Sequence, residues 1–76
     1  MITVKLYGLL RLDSGIKERQ LEAATVAQVL NYLESQGIPR KDLGGAVILV
    51  NGESANKRKK LNDGDVVQLL SPVAGG

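Results

Sequence analysis

The sequence predicts an α+β fold, a small mixed sheet with one main helix packed on one face, in the order ββαββ. Three observations carry the prediction. Ile2, Val4 and Leu6 alternate with Thr3, Lys5 and Tyr7, the period-two pattern of a half-buried strand. Val26, Val29, Leu30 and Leu33 recur at the spacing of one helical face. Two tight-turn segments, Asn51-Gly52 and Asn62-Asp63-Gly64-Asp65, punctuate two apolar runs late in the chain.

The elements follow in order. After the first strand, residues 8–15 read as a turn region closed by Asp13-Ser14-Gly15, and Leu9, Leu10 and Leu12 within it are expected to tuck under the sheet. Residues 16–22 carry Lys17, Glu18, Arg19 and Glu22, and read as a second strand at a sheet edge, where charge discourages further pairing. Thr25, with Gln28 three residues on, matches a capping box, so the helix is expected over about residues 26–36. Gly37 supplies a left-handed position after it, Ile38 an apolar contact, and Pro39 a barrier to restarting. Residues 40–45 read as a loop. The run Ala46-Val47-Ile48-Leu49-Val50 reads as an interior strand, Asn51-Gly52 as a hairpin turn, residues 53–60 as polar and irregular, and residues 66–70 as the last strand. One helix covering such a sheet, with the first and last strands adjacent and parallel at its centre, is the β-grasp arrangement.

With 76 residues there is room for one small domain and a thin core. The predicted division is a β-grasp domain at 1–70 and a flexible C-terminal Gly-Gly tail at 71–76. The chain has no cysteine and no histidine, so it has no disulfide, no thiol nucleophile, no imidazole base and no zinc site built from either residue. Asp63 and Asp65 flank Gly64 in a turn and are too few to hold a metal, so no metal and no bound cofactor are expected. No apolar run approaches the roughly 20 residues needed to cross a bilayer, and no signal peptide is evident; the expected compartment is the cytoplasm, away from any membrane. Such a chain is expected to be a substrate or carrier, not an enzyme.

Ten bases face eight acids, but four of the ten are Lys57, Arg58, Lys59 and Lys60; without them the balance is 6 minus 8, or −2. The basic character is one local run. No aromatics are interleaved with it, so no nucleic-acid partner is expected, and a solvated face or a contact with an acidic protein fits better.

The chain ends Ser71-Pro72-Val73-Ala74-Gly75-Gly76. At ordinary glycine usage about one chain in 200 would end in two glycines, so a frayed end is the bland explanation, and position argues against it. The segment directly follows the last strand, and six extended residues reach about 20 Å. Two glycines without Cβ atoms can enter a narrow slot and present a bare carboxylate to another enzyme. Such a carboxylate is a poor electrophile until it is activated, typically by adenylation. Strand parity adds a surface: with Ile2, Val4 and Leu6 inward, Tyr7 faces outward, as does Leu70, and the two would form an exposed apolar patch beside the tail.

At this point the sequence resembles a family. The ending Leu69-Leu70-Ser71-Pro72-Val73-Ala74-Gly75-Gly76 is similar to the FFPPVxGG ending of MoaD-type sulfur carriers, with Leu70 where the family often has Phe and Ser71 where it often has Pro. Asp63-Gly64-Asp65-Val66-Val67 resembles the family's DGDEV turn and strand, Val50-Asn51-Gly52-Glu53 its VNGE hairpin, and residues 1–8 its first strand. The resemblance covers nearly the whole chain and points to the MoaD/ThiS branch of ubiquitin-like β-grasp proteins. It implies that Gly76 carries the working carboxylate. A ubiquitin-activating-type enzyme would adenylate it, consuming ATP in trans. A sulfurtransferase or cysteine desulfurase system would then convert it to a thiocarboxylate. The sulfur would go to an acceptor synthase large subunit, molybdopterin synthesis being the first expectation. Gly75, Ala74, Val73, Pro72, Leu70 and Tyr7 would contact these partners. The same tail would also serve a protein modifier joined through Gly76 to target lysines, and a β-grasp interaction module would need no activation at all.

Overall fold

The computed structural model describes residues 1–71. Five strands, β1 (Ile2–Tyr7), β2 (Glu18–Leu21), β3 (Val47–Val50), β4 (Glu53–Ser54) and β5 (Val66–Leu70), form one sheet in the order β2-β1-β5-β3-β4. β1 (Ile2–Tyr7) and β5 (Val66–Leu70) lie side by side and parallel at its centre, and every other pairing is antiparallel. This is the predicted β-grasp fold. Ile2, Val4 and Leu6 of β1 and Val67 and Leu69 of β5 are buried on one face. Against them packs α2 (Val26–Ser35), which contributes Val26, Val29 and Leu33, all fully buried. At roughly 1.5–3 kcal/mol for each fully buried side chain of this kind, this contact, not intrinsic propensity, holds a helix too short to be stable alone.

The ends of α2 are built largely as expected. The Thr25 hydroxyl accepts a hydrogen bond from the Gln28 N–H at 3.4 Å. The return arm of the box is displaced: the Gln28 side chain accepts from the Ala24 N–H at 2.6 Å, one residue before the cap. At the other end both bonds of a Schellman motif are present, from Ile38 N–H to the Leu33 carbonyl at 3.2 Å and from Gly37 N–H to the Glu34 carbonyl at 3.0 Å. Gly37 has φ +98° and Ile38 is buried.

Four expectations need correction. Residues 8–15 are not only a turn: Leu9–Ser14 form a short helix, α1. Only Leu10 of its three leucines enters the core, while Leu9 and Leu12 remain 47% and 76% exposed, because one turn of helix points only one face inward. The expected loop at 40–45 contains a second short helix, α3 (Arg40–Gly44), anchored by buried Leu43. The edge strand β2 is confined to Glu18–Leu21. Buried Ile16 precedes it, so Ile16 and Leu21 need not share a strand parity. Finally, β3 (Val47–Val50) is interior in position, between β5 and the two-residue β4 (Glu53–Ser54), but only one face is covered, and of its four residues Val50 alone is buried. Among the described residues no helix is long and apolar enough to cross a membrane.

Candidate functional site

The site is built from the sheet face that carries no helix. Register places Leu70 opposite Tyr7 on one side and Val47 on the other, so these three form a row across β1, β5 and β3. The adjacent row is Lys5, Gln68 and Leu49. Tyr7 and Leu70 are half-buried and Val47 is 50% exposed. The Gln68 side-chain amide donates to the Tyr7 hydroxyl at 3.1 Å, tying the tyrosine to the neighbouring row. The predicted pairing of Tyr7 with Leu70 is therefore present, and the structure widens it into an apolar strip by adding Val47. Periodicity could not reveal Val47, because a continuous apolar run does not say which of its members face out.

The strip ends where the chain leaves the sheet. The backbone turns sharply at Gly8, with φ +64° and ψ −139°, into α1. No side chain of α1's own caps its first turn. Instead the Leu9 N–H donates to the Ser71 hydroxyl at 2.7 Å, a contact 62 residues apart in sequence. The predicted residues Pro72, Val73, Ala74, Gly75 and Gly76 lie outside the described residues, so Ser71 marks the point from which they depart.

The opposite end of the sheet is polar. The turn dipeptide has φ +52° at Asn51 and +84° at Gly52, a type I′ hairpin between β3 and β4. The Asn51 side chain accepts from the Val66 N–H and donates to Asp65, both at 2.9 Å. Asp65 also accepts from the Asn62 N–H at 2.8 Å, and these contacts, the Asn62 backbone bond foremost and the Asn51 bond second, hold its carboxyl below the usual value of 3.8. The two turn motifs are thus one hydrogen-bonded unit. The basic run lies beside it, and its backbone supports α2. The carbonyls of Lys59 and Lys57 accept from the Val26 and Ala27 N–H groups at 3.0 and 2.9 Å, satisfying the start of that helix. Among the described residues no group of His, Cys, Asp or Glu is placed to hold a metal.

The geometry is that of a β-grasp domain without thiol or imidazole, with an apolar strip on its open sheet face that ends at Ser71. The model of the ThiS family matches residues 4–76, and the chain belongs to that family of small sulfur carriers, which are not themselves catalysts. Comparison with curated proteins finds no match. Among solved structures, the chain is similar to small archaeal modifier protein 1 from Methanosarcina acetivorans, at 28% identity and TM-score 0.79 over 99% of this chain and 95% of that one. It is also similar to a chain of the complex of subunits 1 and 2 of molybdopterin-converting factor from Helicobacter pylori, at 26% identity and TM-score 0.75, covering 99% and 97%. A chain of the Amycolatopsis orientalis BexX/CysO complex matches at 27% identity and TM-score 0.75, with both chains covered completely.

Proposed function

We propose that this chain carries sulfur on its C-terminus in the cytoplasm. The Gly76 carboxylate is adenylated by a ubiquitin-activating-type enzyme, ATP supplying the AMP and losing pyrophosphate. The persulfide of a sulfurtransferase or cysteine desulfurase system then attacks the acyl adenylate and expels AMP, and a thiol of that system cleaves the resulting acyl disulfide, releasing the thiocarboxylate and itself ending in a disulfide. The sulfur passes to an acceptor synthase subunit, and synthesis of molybdopterin or a related cofactor is the favoured destination. Gly75, Ala74, Val73 and Pro72 form the slender segment that enters the partners' sites, while Tyr7 and Leu70 dock.

The observation that carries this reading is the apolar strip of Tyr7, Leu70 and Val47 ending at Ser71, the root of the Gly-Gly segment. Two of the similar solved structures are complexes, of molybdopterin-converting factor subunits and of BexX with CysO, which supports a synthase-type partner for this chain as well. The likeness to a small archaeal modifier protein favours a second reading, in which the same activated Gly76 ends in an isopeptide bond to a target lysine.

Intact mass spectrometry of the protein isolated from its own cells separates the two. Exchange of one terminal oxygen for sulfur supports the carrier. Heavier adducts leaving a Gly-Gly remnant on lysine support the modifier. If a chain lacking Gly75 and Gly76 restores every phenotype of a deletion strain, both readings fail and an interaction module without activation remains.

A further inference from the structure

Ser71 departs from the ending that the sequence otherwise resembles, and the structure gives its hydroxyl specific contacts. The Leu9 N–H is the first amide of α1, and helix starts leave such amides without an intrahelical partner. Gly8 before it offers no side chain to cap it. Ser71 Oγ accepts that N–H at 2.7 Å and lies 3.5 Å from the Tyr7 carbonyl, to which it can donate. Space on the other side is shaped to match: a Cβ at Gly8 would run into Ser71 Oγ, and φ +64° there already disfavours any other residue. A glycine corner, an orphan helix amide and the serine that fills it thus meet at the place where the C-terminal segment leaves β5. Proline at this position has no hydroxyl and could not make the contact.

We propose that Ser71 is a positioning residue for the C-terminal segment: its hydroxyl fastens the root of that segment to the corner between β1 and α1. The last described residue is thereby held beside the strip of Tyr7, Leu70 and Val47. A partner that docks on the strip meets the departing chain in one register and need not order its first residue. Fixing one residue's backbone costs roughly 1–2 kcal/mol, which corresponds to about 5- to 30-fold in an equilibrium constant. The inference rests on the carrier reading for its consequence, but not for its geometry.

The experiment has two arms. In the first, amide hydrogen exchange at Leu9 is followed by NMR in the isolated wild-type protein and in Ser71→Ala and Ser71→Thr. Exchange should quicken by roughly 2- to 10-fold in the alanine variant and stay near wild type with threonine, which keeps the hydroxyl. Equal exchange in wild type and Ser71→Ala overturns the clamp. In the second, ATP–pyrophosphate exchange is measured with the adenylating enzyme of the same cells. Ser71→Ala should raise the KM for the carrier about fivefold or more with kcat unchanged, and Ser71→Thr should restore it. An unchanged KM, or a fall in kcat alone, overturns the positioning role. If the wild-type chain supports no exchange at all, the carrier reading fails, whereas the amide measurement still decides the clamp.

Discussion

Asn51 allows the sharpest test of how the two turn motifs act together. Its φ of +52° is left-handed, a region that costs most residues roughly 1–2 kcal/mol. Its side-chain oxygen is the acceptor given to the Val66 N–H at the start of the central strand β5, and that bond contributes about 1 kcal/mol. Asn51→Gly keeps the backbone conformation and loses this bond and the exposed one to Asp65, so it should cost about 1–2 kcal/mol. Asn51→Ala loses both bonds and adds the strain, for about 2–4 kcal/mol. A domain of this size has roughly 4–11 kcal/mol in all, so the alanine variant should lose about 10 °C or more in Tm. Urea unfolding followed by circular dichroism gives both values. The decisive comparison is the order of the two variants. If Asn51→Ala is no worse than Asn51→Gly, the strain argument is wrong; if both match wild type, the link between hairpin and β5 is not a stabilising one. Asn51 lies about 13 Å along β5 from its exit end, so partner affinity should be unchanged in whichever variant remains folded.

Three further outcomes are expected. Val47→Asp puts a charge at the exposed end of the strip; the affinity of a synthase-type partner should fall by about 3 kcal/mol or more, over 100-fold by calorimetry, with little change in folding, and an unaltered affinity would remove Val47 from the docking face. Leu33→Ala empties a fully buried site under the sheet and should cost about 2–5 kcal/mol in urea unfolding; a loss below about 1 kcal/mol would mean that α2 readily collapses onto the gap. Because the carboxyl of Asp65 is held below its usual value in the folded state, its contribution is fully present above that value and is lost as pH falls through the lowered one. The acid limb of a stability–pH curve should therefore be shallower in Asp65→Asn, and identical acid limbs would refute the role of its contacts.

What was legible in the sequence was what neighbours along the chain decide. The alternation of Ile2, Val4 and Leu6, the helical stripe from Val26 to Leu33, the left-handed stop at Gly37 and the Asn51-Gly52 hairpin all depend on contacts within a few residues, and each is present. The short helices α1 and α3 were not legible. A single helical turn shows less than two periods of any pattern, and its stability comes from one leucine, Leu10 or Leu43, docking on a core assembled elsewhere.

The sequence by itself determined the class of this protein: a small β-grasp domain with no thiol or imidazole, ending in two glycines. Tertiary structure decided which residues share a surface. The run from Val47 to Val50 is apolar throughout, and only its register against β5 sends Val47 to the open face beside Leu70. Nor does any local pattern announce that the Ser71 hydroxyl meets the Leu9 amide, or that Asn51 meets Val66. These partners lie far apart along the chain, and a hydrogen bond between them exists only because packing has already brought the two strands and the helix start together.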